Sequence, residues 1–176
     1  YVEEPNISNS GLYPVKYVNN NWVVCSNLDD GWYNYSKQEW ANAVILKDNV
    51  NKNIGDIIDV SSDIIAMFVW IPKFEYKMSS DNSNEIYINF IPEEKTTSSD
   101  NYIIHSAFTF GDSSLSGIWF GKFETSALKT SECYLNTIRD NCNNNEQEPY
   151  IIPNAIPLRE QSVYYQYLTA KKMINY

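Results

Sequence analysis

The chain has 176 residues, enough for one domain with its own core and too few for two comfortable ones. With 13 basic against 22 acidic side chains the net charge is −9, which argues against a nucleic-acid partner and against an anionic membrane surface. The longest apolar run, residues 64–71, is far short of the ~20 residues that a spanning helix needs, so no direct membrane insertion is expected. Aromatic residues are abundant at 15%, with 14 Tyr and 5 Trp, and such amphipathic rings suit half-buried strands and binding surfaces.

Residues 1–20 are polar and interrupted by Pro5, Gly11 and Pro14, which reads as an irregular lead-in. Trp22 to Cys25 reads as a short strand, and Asp29-Asp30-Gly31 as a turn leading into Trp32-Tyr33-Asn34-Tyr35. Ser36 followed three residues later by Glu39 has the form of a capping box. It predicts a helix over 36–46 with Trp40, Ala43 and Val44 on one face. Residues 64–78 read as a central strand, with Phe68, Trp70, Pro72, Phe74 and Tyr76 on one side and Met67, Val69, Ile71, Lys73 and Glu75 on the other. The aromatic side is the expected core face, and Pro72 places the stretch at an edge or a bulge. Further strands are expected at 85–91, 102–110 and 118–125, with a polar surface loop over 92–100. A mobile loop is expected over 141–148, and a second helix over 163–175. The fold class is therefore α+β, a mainly antiparallel twisted sheet with two helices in a single domain spanning 1–176.

One hexapeptide echoes another. Trp70-Ile71-Pro72-Lys73-Phe74-Glu75 returns as Trp119-Phe120-Gly121-Lys122-Phe123-Glu124. Both copies predict an aromatic inner face and a charged outer face, with Trp70, Phe74, Trp119 and Phe123 on one core. Two similar half-buried strands explain the echo more simply than a duplication.

Most catalytic chemistries lack their parts, so no catalytic residue and no cofactor is expected. His105 is the only histidine. On a strand its neighbour Ser106 points to the opposite face, which leaves a structural role for the imidazole. Cys25, Cys133 and Cys142 show no metal-ligand spacing. Asp29, Asp30 and Asp112 form no calcium-loop pattern, so no metal site is expected. Cys133 and Cys142 are the candidate disulfide, with two free thiols as the alternative. Carboxylates are plentiful, but sequence cannot set two of them across a cleft. Trp32, Tyr33 and Tyr35 are the candidate ligand-binding residues, flat rings just after a turn. Their plainer role is to staple that turn to the expected helix. Trp32→Ala separates the two roles, through lost binding or lost stability.

The phrases Ala66-Met67-Phe68-Val69-Trp70-Ile71-Pro72-Lys73-Phe74-Glu75-Tyr76-Lys77 and Gly117-Ile118-Trp119-Phe120-Gly121-Lys122-Phe123-Glu124-Thr125-Ser126 resemble a group of clostridial and related low-GC Gram-positive surface, pilin-associated and prophage proteins. Trp32-Tyr33-Asn34-Tyr35 with Trp40-Ala41-Asn42-Ala43, and Pro153-Asn154 with Leu158-Arg159, fit the same group. The resemblance implies a relation to the formylglycine-generating-enzyme superfamily, a C-type-lectin-like fold, of which only the N-terminal part would be present. The later Gly- and Trp-rich segment is missing, and with it the place of the oxidase's metal-binding cysteine pair. No cysteine here takes that role.

The expected function is a non-catalytic surface or appendage module that recognises a glycan, peptide or cell-wall ligand. The alternative is a structural subunit of a phage tail or pilus-like assembly, with self-assembly as its partner relation, and a further alternative is a fragment of a formylglycine-generating-type enzyme. The location implied is extracellular, on a cell surface or on a virion. The chain begins at Tyr1 without Met or a signal peptide, which reads as an excised or processed piece.

Overall fold

The apolar stretches form short strands, most of them antiparallel to their neighbours. In the computed structural model, which describes residues 2–8, 10–80, 85–127, 146–159 and 161–176, the strands in chain order are β1 (Tyr13–Val18), β2 (Asn21–Val24), β3 (Asn42–Leu46), β4 (Ile57–Ile58), β5 (Ile64–Pro72), β6 (Phe74–Met78), β7 (Ile86–Phe90), β8 (Ile103–Ile104), β9 (Thr109–Phe110), β10 (Ser113–Ser114), β11 (Gly117–Gly121), β12 (Ser126–Ala127) and β13 (Pro149–Tyr150). The helix α1 (Val163–Lys171) continues as a 3-10 turn over Lys172–Asn175. Ser162 caps it, its hydroxyl accepting from the Tyr165 N–H. Among the described residues no helix is long and apolar enough to cross a membrane.

The chain forms two compact units. One comprises residues 1–8 and 70–120, the other residues 9–69 and 121–176. In the second unit five strands lie in the order β4-β2-β1-β3-β5, with β5 represented by residues 64–69. Tyr13–Val18, inside the stretch read as a lead-in, is the middle strand of the five, paired with β2 on one side and β3 on the other. Val15, Val24, Val44, Leu46, Ile58, Ile64, Met67 and Ile152 form its main core, and Ile45, Ile65, Ala66 and Ile151 form a second cluster. Burying each large aliphatic contributes about 1.5–3 kcal/mol.

The two-helix α+β expectation, C-type-lectin-like in type, is corrected to a mostly antiparallel β structure with one helical segment of more than a single turn among the described residues. The segment expected as the helix 36–46 is where the difference lies. Ser36 does not cap a helix. Asn34 does the capping, its Oδ1 accepting from the Lys37 N–H and the Ser36 hydroxyl, over one 3-10 turn, Tyr35–Lys37. Gln38 then adopts φ 61°, which stops the turn, and Asn34 and Glu39 exchange backbone hydrogen bonds of 2.8 and 2.9 Å. Beyond it Asn42–Leu46 is a strand in which every residue is buried, because Val44 and Leu46 join one cluster and Ile45 the other. A run apolar on both faces fits a doubly covered strand, and helical spacing alone does not distinguish it from a helix.

The first unit shows where the long central strand divides. Its chain leaves β5 after Pro72 and enters β6 at Phe74, so that β6 pairs with β7 and β8 in a separate sheet of order β7-β6-β8. Lys73 sits at the switch. Its N–H donates to Ser116 O at 2.8 Å, and its carbonyl accepts from the Ile91 N–H at 3.0 Å. The expected outer face is here an inner one, with Lys73 and Glu75 each 1% exposed. Of the four aromatics expected on one core, Trp70 is buried, while Phe74, Trp119 and Phe123 are half-buried. Phe123 packs on the clusters of the other unit's own core.

Candidate binding surface

The Asp29-Asp30-Gly31 turn is closed by its own side chains. Asp29 Oδ1 accepts from the Gly31 N–H at 2.7 Å, and its Oδ2 from the Lys16 ammonium at 2.7 Å. Bonding to Lys16 and to the Gly31 N–H holds the Asp29 carboxyl below its ordinary value. Beside it Cys25 is a buried free thiol, pushed up to about 11 by burial and by the charge of Asp29. Cys133 and Cys142, the candidate disulfide, lie outside the described residues, as do residues 141–145 of the expected mobile loop.

From this turn the chain lays down a row of rings. Trp32 and Tyr33 meet edge to face at 5.8 Å, Tyr33 and Tyr35 at 5.1 Å, and Tyr35 and Trp40 edge to face at 5.5 Å. These separations are those of favourable aromatic pairs. Exposure grades along the row, with Trp32 at 3%, Tyr33 and Tyr35 half-buried, and Trp40 at 37%. Trp32 is thus the anchor of the strip, and its indole N–H donates to Asn42 O at 2.8 Å.

Asn42, which sequence reasoning did not single out, holds both ends of the row. Its carbonyl takes the Trp32 indole, its amide Nδ2 donates to Trp40 O at 2.7 Å, and its Oδ1 accepts from Lys122 Nζ at 2.6 Å. The Lys122 ammonium also stands 5.3 Å from the Trp22 ring centre, and burial lowers it from its ordinary value. A buried polar residue at the start of a strand is the available signal for Asn42, because buried amides persist where they are fully bonded.

A second polar centre lies in the other unit. The Lys73 ammonium donates to Glu93 O at 2.6 Å, Lys95 O at 2.7 Å and Ser114 Oγ at 2.6 Å, which satisfies all three of its N–H bonds. Glu75 accepts from the Ser99 N–H at 2.8 Å, from the Ser99 hydroxyl at 2.7 Å and from Lys95 Nζ at 3.1 Å to both oxygens. Burial alone would raise the Glu75 carboxyl, but the Ser99 and Lys95 donors outweigh it and bring it down to about 2. The two side chains fasten the 93–99 loop to the start of β6, and Lys73 also holds Ser114 of β10.

His105 sits in neither place. It is exposed, and it caps a 3-10 turn over Ser106–Phe108, with its Nδ1 accepting from the Ala107 N–H at 3.2 Å. Phe74, Tyr76 and Phe108 surround the ring at 5.5–6.2 Å. Among the described residues no group of three or more His, Cys, Asp or Glu side chains is placed to hold a metal ion.

No family model matches this chain, and no curated protein or solved structure is similar to it at a significant level.

Proposed function

We propose that the chain is a non-catalytic recognition module of an extracellular, cell-surface or virion protein, and that it holds a glycan, peptide or cell-wall ligand against the Tyr33–Tyr35–Trp40 strip. The observation that carries this reading is the gradation along the strip. Trp32 is buried and hydrogen-bonded, while Trp40 stands 37% exposed at the other end, tied by its own backbone to Asn42. Rings held in place on one side and open on the other present flat apolar contact at small entropic cost, as binding hot spots do. The lone imidazole caps its own turn through Nδ1, which supports a structural role for it.

The test is binding of the full chain to a glycan array and to a panel of cell-wall peptides, with two substitutions. Trp40→Ala is expected to abolish binding and leave the melting temperature within the range of a surface change, less than about 1 kcal/mol. Trp32→Ala is expected to cost about 3–5 kcal/mol of stability, as removal of a buried Trp does. A Trp40→Ala protein that binds as the parent does would overturn the reading. The alternative of a structural subunit in an appendage is favoured by a different observation, the exposed apolar face of β6, β7 and β8.

A further inference from the structure

The β7-β6-β8 sheet is inside out. Its register pairs Phe74 with Phe90, Tyr76 with Ile88 and Ile103, and Met78 with Ile86, so these residues share one face. Glu75, Lys77, Tyr87, Asn89 and Ile104 share the other. The charged face is covered along β6, where its charges lie, while Tyr87 and Asn89 on β7 are exposed. Glu75 is buried beneath Ser99 and Lys95, and the Lys77 ammonium lies 5.2 Å from the Tyr87 ring centre and 5.0 Å from that of Tyr102. Among the described residues the apolar face is covered at one end, where Phe108, fully buried, packs edge to face on Phe74 at 5.1 Å and the exposed His105 ring lies 5.5 Å from Phe74 and 6.2 Å from Tyr76. Toward the other end Met78 is 69% exposed, Ile86 60%, Ile103 59% and Ile88 55%. A sheet with an apolar face gains its stability by covering it against another layer.

We infer that this face is covered by the same face of a second copy of the chain, the two three-stranded sheets packing face to face about a two-fold axis. Charge favours that occupant. Each copy carries a net −9, so two copies approach at least electrostatic cost through a surface free of carboxylates. None of the side chains that share this face is charged, and the two-fold operation sets each apolar patch on its own counterpart. Area points the same way. The exposed side chains of the face amount to on the order of 500 Å² per copy. Pairing two such faces covers roughly 1,000 Å² in total, at the threshold of a specific interface and in the range of a weak one. Two sheets that pack face to face do so at about 10 Å spacing. This inference is independent of the aromatic strip, which lies in the other unit.

Sedimentation equilibrium of the full chain over micromolar to sub-millimolar concentration tests it. The expected result is a reversible dimer that strengthens as salt screens the net charge. Ile103→Lys is expected to raise the dissociation constant by on the order of 100-fold, with the far-ultraviolet circular dichroism unchanged because the side chain is already exposed. Ile103 lies on β8, on the far side of β6 from the open edge of β7. Asn89→Lys, on the opposite face of β7, is expected to leave the dimer intact. A chain that stays monomeric throughout would overturn the inference. So would a dimer that survives Ile103→Lys, which would place the contact on the β7 edge or elsewhere. A monomer that partitions onto neutral phosphatidylcholine vesicles would also overturn it, by assigning the face to lipid.

Discussion

At the scale of single residues, the buried polar groups govern the pH response. The Glu75 carboxyl is lowered from an ordinary 4.5 to about 2 in the folded chain. The unfolded chain therefore takes up the proton first as the solution is acidified, and the stability contributed by this group is present above pH 4.5 and lost as pH falls toward 2. Glu75→Gln is expected to lower stability at neutral pH, because Lys95 and Ser99 then lose a charged acceptor. It is also expected to flatten the acid limb of a plot of melting temperature against pH between 4.5 and 2. An acid limb as steep in the variant as in the parent would assign that loss of stability to other carboxylates. Trp32 belongs to the same scale. Its residue type marked it as a ligand contact or as a staple to a following helix; that segment is a strand, and Trp32, 3% exposed, bonds to the carbonyl of Asn42 at its start.

Among the elements, β11 shows how a glycine can be demanded by packing with no special backbone conformation. A Cβ built on Gly117 would lie 2.3 Å from the Trp70 ring and 2.7 Å from Ile71 O. A backbone oxygen cannot yield as a flexible side chain can, so Gly117→Ala is expected to cost about 1–3 kcal/mol or more through displacement of the indole and of β5. At the other end of β11, a Cβ on Gly121 would meet the Ile151 side chain at 3.3 Å. Gly121→Ala is expected to cost less than about 1 kcal/mol, since that side chain can give way. Chemical denaturation of the two variants compares them directly, and equal losses would remove the Trp70 contact as the cause. The echo between the two hexapeptides did not reveal this. In the first copy Pro72 is the last residue of β5, and in the second Gly121 is the last residue of β11, so Phe74 opens a new strand while Phe123 follows the end of one.

Over the whole molecule, the alternation of apolar residues located much of the β structure. Expectations at 22–25, 85–91 and 163–175 correspond to β2, β7 and the C-terminal helical segment. What alternation leaves undetermined is which of a strand's two faces is covered. For Lys73 and Glu75 that depends on a loop some 20 residues away in sequence, whose Ser99 and backbone carbonyls supply the partners. Nor can spacing separate a helix from a strand when a short segment is apolar throughout, as residues 43–46 of β3 show. The same burial pattern sets a hierarchy of local stability. Amides of β3 and of Ile65–Met67, in strands covered on both sides, are expected to exchange most slowly with deuterium, and those of β7 fastest among the longer strands. Exchange followed by mass spectrometry would reverse this order if the core lay elsewhere.

The turn-over of the chain at Lys73 has a consequence for how such a sequence can vary in descent. From Trp70 to Glu75 each side chain is assigned to its surroundings by parity: Trp70 to its indole partner Trp119, Lys73 to three acceptors, Glu75 to Ser99. Substitutions that keep size and charge can be absorbed one at a time, but the gain or loss of a single codon shifts every later residue by one step and exchanges the faces. After the loss of one codon Phe74 would stand among the three acceptors of the Lys73 ammonium, and Tyr76 beside the Ser99 hydroxyl. Length changes in this lineage should therefore gather in polar connections such as residues 92–100, and be purged from the hexapeptide.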